Sequence, residues 1–360
     1  MQVPTTPPAD QVRAADVHAA VRDYYGSTLE TSADLKTSAC CSTEDLPAPH
    51  KAILGLLEDE VLAKFYGCGS PLPPALDGCT VLDLGCGTGR DVFLAAALAG
   101  PNGRVIGVDM TAEQLEVAER HAATHAERFG FDTVTTDFRL GTIEDLAALG
   151  IEDDSVDVVI SNCVLNLAPD KRAAFAEIVR VLKPGGELYF SDVFADRRVP
   201  ADVAADPVIH GECLGGALYE EDFRRMLIDL GIPDYRIVSS RPIAVEDEAI
   251  AVKTGSIQFS SKTVRAFKVA SLEDRCEDYG QIAFYRGGLA EQPHAFLLDD
   301  HHLFEKDRPM LVCGNSAAMV QETRYGRYFD VLGDRTTHFG LFDCAPAPAS
   351  ADGEASGACC

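Results

Sequence analysis

Val81-Leu82-Asp83-Leu84-Gly85-Cys86-Gly87-Thr88-Gly89-Arg90-Asp91 decides how this chain is read. The first residues make a short buried strand, the glycines a turn, and Arg90-Asp91 the start of a helix. Glycines let the backbone come close to a ligand, and a helix start offers unpaired N–H groups. Outward from this turn the chain alternates. Strands are predicted over Thr80–Leu84, Arg104–Asp109, Val134–Leu140, Val156–Ser161, Glu187–Phe194 and Tyr235–Val245. Helices are predicted over Arg90–Leu98, Ala112–Phe129, Ile143–Leu149, Lys171–Leu182 and Glu220–Leu230. Such alternation implies a parallel α/β sheet with helices on both faces.

Composition narrows the partners. The 360 residues are 46% hydrophobic and 24% charged, ordinary for a globular chain of two domains. Acidic residues outnumber basic ones 57 to 31, a formal charge of -26. That balance argues against nucleic acid and anionic membranes as partners. No apolar run is long enough to span a bilayer, and the N-terminus lacks the features of a secretory signal, so a cytoplasmic location is expected. Twelve cysteines are present, with no C-x-x-C pair and no zinc-type spacing.

Beyond residue 246 the rhythm changes to short β-like runs at Ser256–Phe259, Val264–Lys268, Gln281–Tyr285, Ala295–Leu298 and Met310–Cys313, with a helical stretch over Asn315–Arg324. The expected organisation is an N-terminal lid segment over 1–65, a core over 66–245, a small α+β domain over 246–345 and a flexible tail over 346–360.

A dinucleotide fold is the obvious rival for the glycine turn. Three details weigh against it. The spacing is G-x-G-x-G and lacks the third glycine that serves a pyrophosphate. Asp83, in the strand before the turn, repels a pyrophosphate but suits the ammonium of an amino-acid moiety. The third detail lies further along the chain; Asp109, which ends the next strand 24 residues after Gly85, is placed to hold two ribose hydroxyls in either fold. Gly141-Thr142-Ile143-Glu144 is placed to border an adenine ring, and Ser161-Asn162-Cys163-Val164-Leu165-Asn166 falls at the carboxyl edge where ligands bind. Over roughly residues 79–195 these features resemble the class I S-adenosylmethionine methyltransferases. The resemblance implies a Rossmann-like seven-stranded sheet whose last strand is antiparallel, S-adenosyl-L-methionine as cofactor, and contacts from Tyr66, Asp83, Gly85, Gly87, Gly89, Asp109, Met110, Thr142, Ile143, Glu144 and Asn162.

Any one cysteine is more often a small buried hydrophobe than a ligand. The set is another matter. Cys163 falls just past a core strand, Cys213 sits in His210-Gly211-Glu212-Cys213-Leu214-Gly215-Gly216, and Cys68 and the pair Cys40-Cys41 lie in the N-terminal segment. Converging thiolates beside a methyl donor form a soft site, which selects a thiophilic centre. Thr37-Ser38-Ala39-Cys40, Tyr66-Gly67-Cys68-Gly69, Ser161-Asn162-Cys163-Val164-Leu165-Asn166-Leu167 and Gly211-Glu212-Cys213-Leu214-Gly215-Gly216-Ala217-Leu218-Tyr219 are similar to the signatures of arsenite methyltransferases. The likeness implies an enzyme that methylates arsenic for detoxification. Arsenite, or its thiol conjugates, is then bound by Cys68, Cys163 and Cys213. Cys40 pairs with Cys68 in a redox relay recharged by a thiol reductant such as thioredoxin or glutathione. Cys41 competes with Cys40 for that role; the Thr-Ser-Ala-Cys alignment favours Cys40. Cys359-Cys360 either scavenge arsenic or are incidental, Cys86 is structural, and Cys276, Cys313 and Cys344 are expected to be structural or incidental. His301-His302 is expected on an exposed turn. Two other readings remain at this point: a methyltransferase for an organic centre with inert cysteines, and a metalloid-binding protein without catalysis.

Overall fold

The computed structural model describes residues 18–19, 47–63, 67, 69 and 71–344. The expectations for Cys40, Cys41, Tyr66, Cys68, Cys359 and Cys360 lie outside the described residues.

Five parallel strands form the centre: β1 (Thr80–Leu84), β2 (Arg104–Asp109), β3 (Thr136–Leu140), β4 (Val156–Asn162) and β5 (Leu182–Ala195). With β6 (Tyr235–Ile243) and β7 (Phe259–Phe267) the order is β3-β2-β1-β4-β5-β7-β6, and β7 runs antiparallel to both neighbours. The two-residue strand Leu218–Tyr219 adds a short pairing to the end of β5. The expected class I sheet with an antiparallel last strand is therefore present. Chain direction across the sheet reverses between β1 and β4, the place where such folds open a crevice at the strands' carboxyl ends.

Alternate residues of each strand feed opposite layers. Val81, Val105 and Val158 pack with Val92 and Phe93 of helix α1 (Arg90–Ala99) and Leu115 of α2 (Ala112–Arg128). Leu82, Val108, Val159 and Phe190 pack with Phe175 of α3 (Lys171–Val181) and Phe223 of α4 (Glu220–Asp229). Burial on both faces explains why these strands read as continuous apolar runs. Ahead of β1, short helices over Ala48–Leu54 and Asp59–Ala63 join the first layer through Leu54 and Val61.

Two expectations need correction. Ile143–Leu149 forms turns and no helix: the Asp145 carboxylate accepts from Ala148 N at 3.0 Å, giving the backbone a local partner in place of a helical one. Ser256–Phe259 and Val264–Lys268 were expected in the second domain, but β7 is one strand of the core sheet, which therefore extends past residue 245. Its pattern was disguised by Arg265, a charged residue that is 0% exposed.

Arg265 is also what joins the domains. Its Nε donates to Glu187 Oε1 at 2.7 Å on β5, and its Nη1 to the Leu298 carbonyl at 2.8 Å. Tyr325 Oη donates to Glu187 Oε2 at 2.9 Å, and Arg324 reaches the same carboxylate at 2.5 Å. Around this cluster the C-terminal residues build a small α+β layer. Strand Gln281–Tyr285 lies between Pro309–Val312 and Phe329–Leu332, backed by helix Gly314–Gln321. A carboxylate serving two buried guanidiniums is costly to remove, because both charges lose their partner. Glu187→Ala is expected to lower unfolding free energy by about 3–5 kcal/mol, measured by urea denaturation. Glu187→Gln, which keeps an acceptor but no charge, should fall between it and the natural protein.

Candidate active site

The crevice at the β1–β4 switch holds about 1050 Å3 of space, its open mouth included. Its floor is the glycine turn. Gly85 N and Cys86 N both donate to the Val108 carbonyl of β2, at 2.8 and 3.0 Å, which folds the turn back over the sheet edge. Gly85 has φ 72°, and a Cβ there would lie 2.3 Å from Val164. Only glycine lets the turn press against the loop after β4. Asp109 at the end of β2 accepts from Gly87 N at 2.9 Å and from Thr111 N at 2.8 Å, so it braces the turn as well as facing the crevice. Thr88 Oγ1 donates to the Val61 carbonyl at 2.8 Å and ties the turn to the preceding helix.

Asp83, Gly85, Gly87, Asp109, Met110, Thr142, Ile143, Glu144 and Asn162 all line this crevice. Gly89 does not. It caps α1 in the left-handed region, φ 88°, and lies against Phe93, Ala118 and Phe138. Its part is to let the helix pack, not to touch a ligand. Sequence reasoning missed Thr111, Gln114 and His18, whose Nε2 lies 3.2 Å from Glu144 Oε1. Nothing in their spacing marks them.

The charge of the crevice decides what it accepts. Asp83 is 2% exposed, and burial, reinforced by Asp91 and Asp109, raises its pKa well above the ordinary carboxylate value. Burial also raises Asp109, against the pull of its backbone donors. A pyrophosphate would add negative charge to this set; a ligand carrying a sulfonium and an ammonium relieves it. Gln114 Oε1 and Glu144 Oε2 are buried in the crevice wall without a hydrogen-bond partner, and a Cβ on Gly87 would approach nothing closer than Gln114 Oε1 at 3.7 Å. Orphaned acceptors beside an open floor fit the hydroxyl, amino and cationic groups of S-adenosylmethionine.

Beside the crevice stand the thiols. Cys163 and Cys213 both have left-handed backbones, φ 57° and 62°, rare for residues with a side chain and frequent at functional positions. Cys163 N donates to the Ser191 carbonyl of β5 at 2.8 Å, and Cys213 Sγ points to the Cys163 carbonyl at 3.4 Å. Their sulfurs and an oxygen of Asp192 lie within 4.8 Å of one another, all buried. Cys163 is disulfide-bonded. Cys163 also lines the crevice, so the thiol pocket and the cofactor floor share a wall. A Cβ on Gly216 would meet the Asn166 carbonyl at 1.9 Å; this glycine seats the Cys213 loop on the Cys163 loop. Asn162 reaches the segment ahead of β1: its amide exchanges hydrogen bonds with Gly69 at 3.1 and 2.9 Å and donates to Asp91 at 2.9 Å.

Two ionisable groups near the thiols, the buried Asp192 and the half-buried Lys171, were not legible in the sequence. Asp192 accepts from Asn166 Nδ2 at 2.7 Å and from Val193 N at 2.8 Å, yet burial pushes its pKa up to about 7. Burial lowers Lys171, while Asp192, Cys213 and Glu144 pull it back up.

Against known proteins, a family model described as a methyltransferase domain matches residues 75–231. The arsenite methyltransferase of Aquipseudomonas alcaligenes is 52% identical over 91% of this chain and 94% of its own length. This chain belongs to the arsenite methyltransferase family. The arsenite methyltransferase of Mus musculus is 40% identical over 88% of the chain and 84% of its own length. A crystal structure of CrArsM, an arsenic(III) S-adenosylmethionine methyltransferase from Chlamydomonas reinhardtii, superposes with TM-score 0.80 at 47% identity, covering 83% of this chain and all (100%) of that one. Membership makes this family member an S-adenosylmethionine-dependent methyltransferase, consistent with the floor of its crevice. Among the described residues no helix is long and apolar enough to cross a membrane.

The raised pKa of Asp192 has a stability consequence with a definite sign. The folded state binds this proton more tightly than the unfolded chain, so the stabilisation is complete below about pH 4 and is lost as pH rises towards 7. Asp192→Asn removes the titration and keeps an acceptor for Asn166 and Val193. Relative to the variant, the natural protein is expected to lose stability steadily between pH 4 and 7, by about 1.4 kcal/mol per unit at most, read as the difference in urea midpoints across that range.

Proposed function

We propose that this enzyme transfers methyl groups to trivalent arsenic, with arsenite or its thiol conjugates as substrate and methylated arsenicals as products. The observation that carries this reading is the meeting of Cys163 and Cys213, both on left-handed backbones, at the wall of the methyl-donor crevice. An organic acceptor would need a shaped pocket with a base, and gives no reason to bring two thiols together on strained backbone.

Bound over the glycine turn, S-adenosylmethionine supplies an electrophilic methyl group. Asp109 and the turn hold the nucleoside side of that site, Asp83 the amino-acid side, and the Thr142–Glu144 segment the base. On the other side Cys163, Cys213 and Cys68 displace hydroxides from arsenite. Each thiol proton leaves with a hydroxide as water, and arsenic stays trivalent. Its lone pair is the nucleophile, so no side chain has to accept a proton. The chain's contribution is positioning and the exclusion of water. Cys163 must be released from its disulfide before it can ligate.

Methylation leaves arsenic formally pentavalent. Cys40 and Cys68 return it to the trivalent state: the Cys40 sulfur bonds to the arsenic-bound Cys68 sulfur and loses its proton, the As–S bond to Cys68 breaks with its electron pair going to arsenic, and the two cysteines become a disulfide. Thioredoxin or glutathione then reduces that disulfide by exchange.

The test is incubation of the purified protein with S-adenosylmethionine, arsenite and thiol reductant under exclusion of oxygen, with arsenic species separated by chromatography and counted by mass. Methylarsenicals are the expected product. Cys213→Ser should lower their rate by roughly 100-fold or more, the size of effect seen when a group that positions the reacting atom is removed. Unchanged methylation in that variant would sink the thiol-bound mechanism, and the absence of any methylated arsenic would sink the reading. If Cys40 is the relay partner, Cys40→Ser stalls turnover after the first methyl group and Cys41→Ser does not.

A further inference from the structure

Cys276, Cys313 and Cys344 fall together in the C-terminal domain, far from one another in sequence. Their sulfurs lie within 4.8 Å of one another, and all three are free thiols. The expectation that they are structural or incidental does not account for this convergence. The fold assembles them by backbone pairing. Strand Glu277–Asp278 pairs antiparallel with Gly340–Leu341, and Phe342 N donates to the Cys276 carbonyl at 2.8 Å, which puts Cys276 and Cys344 at matching ends of one ladder. Cys313 caps helix Gly314–Gln321 and receives Ser316 N at 3.4 Å.

One guanidinium faces the triad. Arg236 Nη2 approaches Cys313 Sγ at 3.7 Å, and the Cys313 thiol is held far below its ordinary pKa, first by the neighbouring cysteines and then by Arg236. Cys276 moves the other way, to about 11, because it shares its proton with Cys313. Cys344 is raised as well, by its hydrogen bonds to the other two sulfurs. Cys313 is buried, but Cys276 and Cys344 are partly exposed, and Cys344 lines an open cavity with Asp234, Arg236 and Asp299. His301 is exposed, as expected, but His302, which also lines the cavity, is 6% exposed, its Nδ1 bonded to Asp299 at 2.7 Å.

We propose that this triad is a second arsenic(III) site, separate from the catalytic thiols. Coordination chemistry selects the occupant. Three thiolates around a trivalent metalloid make a neutral, complete shell, whereas zinc keeps a net negative charge with three thiolates and demands a fourth ligand. Among the described residues no histidine or carboxylate joins these sulfurs within the same 4.8 Å. A neutral product also adds no charge to a pocket where Arg236 already answers Asp234 and Asp299, at 2.8 and 3.2 Å. Arsenite, As(OH)3, enters uncharged past this acidic mouth, which repels anions. Three S–H bonds and three As–O bonds break, three As–S bonds form, and three waters leave with no change in oxidation state. None of the three cysteines lines the methyl-donor crevice, so the site holds arsenic and does not methylate it. The inference stands on the three thiols and does not depend on methyl transfer at the catalytic site.

The test uses the full chain carrying Cys163→Ser and Cys213→Ser, reduced and desalted without oxygen. An alkylating reagent is applied with and without sodium arsenite, and labelling is resolved by peptide mass spectrometry. Arsenite is expected to slow labelling of Cys276 and Cys344 together by at least about tenfold, as thiolates leave the reactive pool. Adding Cys344→Ser should restore labelling of Cys276 while the melting temperature stays unchanged. Equal labelling with and without arsenite would overturn the proposal. So would protection by zinc chloride that arsenite cannot match. Because Cys163 and Cys213 are absent and protection is read at Cys276 and Cys344 themselves, this outcome is independent of whether the natural protein methylates arsenic.

Discussion

The contact between Gly85 and Val164 is the constraint on which the site depends. Parallel pairing of β1 with β4, with Leu84 opposite Ser161, brings two strand ends to the same edge of the sheet. One strand end carries the cofactor turn and the other the first thiol. They close on each other only because Gly85 has no side chain to hold them apart. From that contact the rest follows: Cys163 is turned into the left-handed region beside the crevice, Asn162 reaches across to Asp91 and Gly69, and Gly216 seats the Cys213 loop on Asn166.

Electrostatics then separates the two halves of the site. The cofactor side gathers Asp83, Asp91 and Asp109 in a buried setting that favours a cation and rejects a pyrophosphate. The thiol side is bedded in apolar residues such as Leu167, Val193, Ile209 and Leu214, with Asp192 buried beside them and Lys171 half-buried within electrostatic reach. The proposed acceptor side and the cofactor side thus share one wall, formed by Cys163.

The C-terminal domain is held to this core by a buried ionic cluster and not by a linker alone. Glu187 is a residue of the central sheet, and its carboxylate is answered by Arg265, Arg324 and Tyr325, the last two contributed by the C-terminal layer. Paired buried charges specify geometry more than they add stability. Here they orient the layer that carries Cys276, Cys313 and Cys344 against the methyltransferase sheet.

The sequence alone determined the kind of fold and the kind of site. Hydrophobic runs of strand and helix length, the glycine turn after Thr80–Leu84 and the carboxylates at Asp83 and Asp109 carry their meaning locally, because backbone conformation and periodicity are short-range properties. The same holds for the loops around Cys163 and Cys213, whose flanking residues mark them. Only the tertiary structure decided that Arg265 lies in a buried strand of the core sheet, that Gly89 serves packing, that Asp192 sits beneath the thiols with its pKa raised, and that Cys276, Cys313 and Cys344 share one point in space. Each of these depends on which distant residue lies opposite, and on how much water is excluded there. No local pattern encodes either quantity.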